Sequence, residues 1–232
     1  EEISNGTSQF AIAENGTLVY QQRRGEEVGV VWVDRSGGTT PVDTSLKGNF
    51  SGVALSPDAS RIALAQSVSG GGQAWVKQLT TGTFSRLSFD VADADRPVWT
   101  PDGRSVGFLA TRGGRRLAFV QRADGSDSAR AVATGSLEFD EVWFDQSGRY
   151  TIFRSEGAEA GSRHLLVQEQ GVDTVPRILL KSRYDNFAMT LPPDGHWLAY
   201  VSDESGNREV YVRPFPSAGS AKIAISVAGG LE

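Results

Sequence analysis

The sequence predicts an all-β protein, a β-propeller of five four-stranded blades. Three observations carry that expectation. A Pro-Asp-Gly type of turn recurs along the chain, its copies are almost evenly spaced, and the same succession of short apolar runs follows each copy. "TPDGRSVGF" from Thr100, "SPDASRIAL" from Ser56 and "PPDGHWLAY" from Pro192 are the most alike. With Gly103 as the ruler, "AENGTLVY" falls into line at Gly16, "DQSGRYTIF" at Gly148 and "PPDGHWLAY" at Gly195, while Ala59 occupies the glycine slot of the second unit. Successive slots are 43, 44, 45 and 47 residues apart, within the period of roughly 40–50 residues that marks four-stranded blades. A β-sandwich with similar hairpins is the competing reading, and it would not keep this register over the whole chain.

Each unit reads as four strands. Strand A precedes the turn: "FAIA", "SGVALS", "PVWT", "DEVWF" and "FAMTL". The turn itself has a physical basis, because Pro pre-sets φ, Asp bonds back to nearby backbone N–H groups and Gly accepts the positive φ that closes the hairpin. Ala59 departs from that pattern, so a different or strained turn is expected there. Strand B follows as "TLVYQQ", "RIALAQS", "SVGFLA", "YTIFRS" and "WLAYVS", then a polar tip such as "VSGGGQ" or "TRGGR". Strand C is "GVVWVD", "AWVKQL", "RLAFVQ", "HLLVQE" and "EVYVRPF", and strand D is the weaker "TTPV", "FSRLS", "ARAVA", "PRILL" and "AKIAIS". Strands A and B are continuous apolar runs, which predicts burial on both faces. The shorter, more polar strand D suits an outer edge. Trp99 and Trp143 are read as matching strand A positions that pack blades together. No stretch has helical periodicity with caps. The expected organisation is a single domain over residues 1–230, with blades at about 9–46, 47–90, 91–135, 136–182 and 183–228. Residues 231–232 read as a cloning scar.

Composition agrees with this reading and narrows the function. Across 232 residues the chain has 39% hydrophobic residues, with 11 Phe, 5 Trp and 5 Tyr to fill a core. Its 27 glycines fit many turns. The formal net charge is −5, opposite to what a phosphate-backbone binder needs, so no nucleic-acid partner is expected. The short basic stretches at Gln22–Arg24 and Arg112–Arg116 read as hairpin tips. There are no cysteines, which excludes disulfides and cysteine-based zinc sites. No apolar run approaches the ~18 residues of a membrane span, so no membrane insertion by this segment is expected.

"RPVWTPDGRSVGF", "LPPDGHWLAYVSDESGNREVYVRPFP" and "VWVDRSGG" resemble the TolB-like β-propeller repeat, in the version appended to bacterial Ser/Thr protein kinases or transcriptional regulators. The resemblance covers residues 10 to 230, is most specific over Leu198–Pro216, and is weakest at unit four, where Asp145-Gln146-Ser147 replaces Pro-Asp. It implies a propeller whose loops and central channel bind partners, as a sensor or docking domain without catalysis. It also implies an extracytoplasmic (periplasmic) setting, which the residues do not distinguish from the cytoplasm. Such propellers commonly have six blades, so five blades read as a fragment, with self-association as one way to complete a ring.

Few residues suggest chemistry of their own. His196 takes the slot of Arg104 and Arg149, and His164 opens a strand C; both read as structural or solvated. Two distant histidines make a poor zinc site. There is no Gly-x-Ser-x-Gly elbow and no Gly-x-x-x-x-Gly-Lys-Ser/Thr loop. No catalytic residue, metal site or cofactor is therefore expected, a cation in the channel being the minor exception. Asp124-Gly-Ser-Asp127 reads as a turn between strands C and D. Three Asn-x-Ser/Thr sites, at Asn5, Asn15 and Asn49, carry little weight in a chain of bacterial appearance. Carboxylates do recur just before strand A: Asp90, Asp93 and Asp95 in unit three, Glu138, Asp140 and Glu141 in unit four, Asp185 in unit five. In a propeller this segment leads to the innermost strand. Asp95, Arg96, Asp140, Glu141, Asp185 and Asn186 are therefore the expected contact set at the channel mouth for a protein, peptide or small ligand. The alternative function is the gating propeller of a prolyl-oligopeptidase-type serine peptidase that carries its hydrolase domain elsewhere. A propeller enzyme acting on sugars or lactones would need a metal in the channel.

Overall fold

The computed structural model describes residues 10–12, 17–24, 27–157, 160–192, 194–217 and 221–230. Gly16, Asn5, Asn15 and residues 231–232 lie outside them. The described residues form twenty strands and no helix, in five separate four-stranded sheets in which consecutive strands pair antiparallel. The first sheet holds β1 (Phe10–Ile12), β2 (Leu18–Arg24), β3 (Glu27–Val33) and β4 (Thr39–Pro41). The second holds β5 (Asn49–Leu55), β6 (Arg61–Val68), β7 (Gly71–Gln78) and β8 (Phe84–Arg86). The third holds β9 (Ala92–Trp99), β10 (Ser105–Arg112), β11 (Arg115–Arg122) and β12 (Arg130–Ala131). The fourth holds β13 (Glu141–Phe144), β14 (Tyr150–Glu156), β15 (Arg163–Glu169) and β16 (Arg177–Leu180). The fifth holds β17 (Asn186–Thr190), β18 (Trp197–Ser202), β19 (Glu209–Pro214) and β20 (Ile223–Ala224). This is the all-β architecture of five propeller blades that the repeat predicts.

The ruler turn is one structure in four dress variations. The N–H at the glycine slot donates to the carbonyl three residues back: Ala59 to Ser56 at 2.8 Å, Gly103 to Thr100 at 2.9 Å, Gly148 to Asp145 at 2.9 Å and Gly195 to Pro192 at 3.0 Å. All four slot residues are left-handed, with φ of 56°, 64°, 70° and 65°. Ala59 therefore makes the same turn as its sisters and bears the Cβ strain of that conformation. The Asp before the slot accepts the N–H after it, as Asp58 does from Ser60 (3.1 Å), Asp102 from Arg104 (3.0 Å) and Asp194 from His196 (3.0 Å). Unit four keeps the geometry with the roles exchanged. Ser147 takes the Asp position and its hydroxyl accepts the Arg149 N–H at 3.1 Å. Asp145 takes the Ser56 and Thr100 position and accepts the Tyr150 N–H at 2.6 Å.

Two compact units are distinguished, Glu1–Arg115 with Phe119–Arg130, and Arg116–Ala118 with Ala131–Glu232. In the first, Val19, Val30, Phe50, Val53, Ile62 and Leu64 form a buried cluster, with Trp75 stacked on Phe84 at 4.7 Å beside it. Trp99 locks the third sheet to the second: its Nε1 donates to the Ala54 carbonyl at 3.0 Å, and the Arg61 guanidinium lies 4.7 Å over its ring. In the second unit Ile152, Leu165, Val167, Met189, Leu198, Tyr200 and Tyr211 form the core. Burying each such large side chain is worth about 1.5–3 kcal/mol.

Strand B is buried along its length, as in β10, and strand D is exposed, as in β12 and β20. Strand A is less uniform than its apolar run predicts. In β9 only the C-terminal half is buried on both faces, and β13 presents Trp143, which is 36% exposed. The two tryptophans are also one residue out of register. Trp99 pairs with Val106, while in the fourth sheet the equivalent residue is Phe144, paired with Thr151. Because side chains alternate along a strand, that single step turns Trp143 away from the packing role of Trp99.

Candidate functional site

The six expected contact residues fall into two groups, one in each unit. Asp95 and Arg96 lie inside β9 rather than ahead of it, since that strand begins at Ala92. Asp95 pairs with Leu109 and Val98 with Gly107, so Arg96 and Pro97 together face Phe108. This is a β-bulge, a device that re-aims side chains at sheet rims. Arg96 has φ of 49° and Asp93 has 51°, left-handed values that a non-glycine residue holds only where its surroundings enforce them. The surroundings here are glycines of the second sheet. A Cβ on Gly72 would stand 2.5 Å from the Ala94 carbonyl oxygen, and one on Gly52 would stand 2.8 Å from Pro97 Cδ. The tip "VSGGGQ" thus supplies bare backbone against which the acidic segment lies. Asp90, upstream, is paired with Arg112 at 2.5 Å, and Arg112 also caps the Phe119 ring at 4.5 Å.

In the second unit the acidic residues are drawn into a network around two arginines. Arg154 Nη1 reaches Glu141 at 3.2 Å and its Nη2 reaches Asp185 at 2.7 Å; the side chains of Arg154 and Glu141 are each only 12% exposed. Arg163 Nε pairs with Asp140 at 2.8 Å. Asn186 is buried, and its amide donates to the carbonyls of Arg163 (2.7 Å) and Tyr184 (3.3 Å). The Asp185 N–H donates to Asp203 at 3.0 Å. Asp140 and Asp185 keep a third of their side-chain surface, at 35% and 29%. The structure therefore brings Asp140, Glu141, Asp185 and Asn186 together, as carboxylates already held by cations and an amide that fixes the loop.

Arg154 and Arg163 were absent from the expected set, and the repeat carried a signal for the first. Six residues beyond the ruler slot, units two, three and five have Ala65, Leu109 and Val201, all buried, and unit one has Gln22; unit four has Arg154. Its cross-strand neighbour is Glu141, at the slot where the second sheet pairs Gly52 with Ala65. Where the second sheet has Gly52–Ala65, the third Asp95–Leu109 and the fifth Phe187–Val201, the fourth has an ion pair. Arg163 had no comparable signal.

The remaining candidates stay structural. His164 accepts the Ser182 N–H at Nδ1 (3.3 Å), and His196 is exposed. Asp124 and Asp127 accept the N–H groups of Ser126 (3.0 Å) and Arg122 (2.8 Å), which makes the segment a turn after β11. Among the described residues, no three His, Asp or Glu side chains come together to hold a metal ion. No helix among them is long and apolar enough to cross a membrane.

A family described as "TolB beta propeller domain" matches residues 15–230. Among solved structures, TolB from Acinetobacter baumannii superposes with a TM-score of 0.80 at 16% identity, over 96% of this chain and 54% of its own. A structure described as TolB from Agrobacterium tumefaciens gives 0.73 at 16% identity, over 94% of this chain and 79% of its own. A prolyl endopeptidase gives 0.62 at 16% identity, over 91% of this chain and 35% of its own. The chain spans about half the length of the Acinetobacter protein.

Proposed function

Because the chain belongs to the TolB beta propeller domain family, we propose that it is a non-catalytic interaction and sensor domain whose partner is a protein or peptide. The partner is met at the segments leading into β13 and β17 and at the bulge within β9. The observation that carries this reading is the Glu141–Arg154 ion pair, at a register position where the second sheet pairs Gly52 with Ala65 and the fifth pairs Phe187 with Val201. A buried ion pair is a poor source of stability, since desolvation offsets most of its attraction, so its presence in the fourth blade suits recognition better than folding. Asp140, Glu141 and Asp185 present carboxylates in fixed directions, and Asn186 positions the loop that carries Asp185. In the other unit Asp95 and the bulged Arg96 form the second contact group. The rigid presentation of these groups is the mechanism; no bond is made or broken. The family resemblance supports an extracytoplasmic setting.

The test is co-purification from the source cells with the tagged chain, comparing wild type with Asp140→Lys and with the pair Asp95→Lys, Arg96→Glu. A partner retained by wild type and lost by either variant, at unchanged thermal midpoint, supports the reading. A partner held equally by wild type and both variants would overturn the assigned contact set. Self-association is proposed as a further use of the same fold, and a monomeric solution mass at all concentrations would remove it. The second reading, a gating propeller for a serine peptidase, draws on the likeness of fold to the prolyl endopeptidase. A hydrolase domain with a Gly-x-Ser-x-Gly elbow in the same gene would favour it.

A further inference from the structure

A cavity of about 210 Å³ opens in the second unit between the loop joining β16 to β17 and the strands β18 and β19. Its charged lining is mostly cationic. Lys181, Arg183 and Arg213 contribute three cations, and Glu204 the single carboxylate. That carboxylate is already neutralised from outside the lining, because Lys222 Nζ sits 2.5 Å from its Oε1. Lys181 is exposed at the rim.

Tyr200 adds a second, independent observation. The residue is 1% exposed, yet it is among those that line the cavity. The hydroxyl oxygen accepts Arg213 Nε at 2.9 Å. A phenol both accepts and donates, and among the described residues nothing accepts the Tyr200 proton. Burial pushes the Tyr200 pKa up, outweighing the hydrogen bond and charge of Arg213, so the phenol keeps that proton at neutral pH. A buried donor without an acceptor costs free energy that a bound acceptor would recover. The Asn186 amide, tied to the Tyr184 and Arg163 carbonyls, holds the loop that forms one wall.

From the cation-rich lining and the buried phenol whose proton has no acceptor among the described residues, we infer that this cavity is a binding site for an oxyanion, a carboxylate or a phosphate group. Tyr200 donates to one oxygen of the anion, Lys181 and Arg183 close over it from the rim, and Arg213 holds the phenol in position. The site stands on observations separate from the contact set proposed above and does not depend on it.

Titration of the 232-residue chain with sodium phosphate and with sodium citrate, followed by calorimetry and amide chemical shifts, tests it. Sodium chloride at matched ionic strength is the reference. Saturable binding of either probe, with shifts concentrated at residues 181–184, 200 and 213, is the expected result, and the tighter probe identifies which oxyanion the site prefers. Lys181→Glu lowers the affinity at least about tenfold, as does Tyr200→Phe, since hydrogen bonds to charged groups are worth about 1.5–3 kcal/mol. Lys181→Glu is a surface change and leaves the fold intact, so it decides the matter if Tyr200→Phe disturbs the core. Equal responses to chloride, phosphate and citrate, or an affinity unchanged in Lys181→Glu, would overturn the assignment.

Discussion

Ala59 shows how far one side chain can deviate while the backbone holds. It sits at φ 56° in a slot where the other described units place glycine. The left-handed region costs an L-residue roughly 1–2 kcal/mol. Part of that is offset because the Ala59 methyl packs against the first unit's core and because glycine loses more backbone entropy on folding. Ala59→Gly is therefore expected to stabilise the protein by about 0.5 kcal/mol, read as a higher urea midpoint; a lower midpoint would mean that packing outweighs strain. The neighbouring Asp58 makes a prediction about pH. The Ser56 hydroxyl, with further help from the Ser60 hydroxyl and N–H and from Arg61, outweighs burial and holds its pKa down at about 2. A carboxyl depressed in the folded state stabilises above its unfolded value, near 4, and that contribution is lost as pH falls from there through the folded value. Wild type should thus lose stability between about pH 4 and 2 more steeply than Asp58→Asn does, in urea titrations at each pH. The sequence made the Pro-Asp-Gly turn legible and also hid two things at this scale. Ala59 concealed an unchanged turn. Ser147 and Asp145 concealed an exchange of roles, because hydroxyl and carboxylate oxygens both accept a backbone N–H and a pattern of letters does not show which does.

Strands and their slots were legible wherever the apolar run and the turn agreed, so all five blades could be placed. What could not be read was the backbone's approach to its neighbours. Gly71 and Gly72 look like tip residues in "VSGGGQ", yet they begin β7 and press on the segment that carries Asp93 and Ala94. Gly72→Ala sets a Cβ 2.5 Å from a carbonyl oxygen, and backbone cannot yield as a flexible side chain can. A loss of about 1–3 kcal/mol is expected, measured as a lower urea midpoint; a neutral outcome would show that β9 shifts freely. The charged pair of the fourth blade belongs to the same scale. Arg154→Met should cost about 3 kcal/mol, because Glu141 is left nearly buried without its cation. The double change Glu141→Gln with Arg154→Met should recover more than a third of that loss. A double variant no better than the single one would mean that Asp185, not Glu141, is the partner that matters. The six-residue candidate set anticipated the carboxylates of this network and missed its arginines. Carboxylates cluster in sequence, whereas their partners arrive from strands B and C, which only the fold brings near.

At the scale of the whole molecule, every four-stranded sheet among the described residues is built from four consecutive strands, each paired with its neighbour in sequence. Such arrays store stability as a sum of repeat terms and nearest-neighbour terms, without a single global core. Each of the two compact units has its own buried cluster, around Ile62 and Leu64 in one and around Tyr200 and Leu198 in the other. A local lesion should therefore open part of the molecule before the whole, as sub-global unfolding does. Amide hydrogen exchange of Gly72→Ala is the decisive measurement. Protection should fall across β5 to β10 and stay close to wild type in β14, β15, β18 and β19. A uniform fall in all of these strands would mean that the chain unfolds as one cooperative body. The expected graded response would let one unit open at a cost well below that of global unfolding.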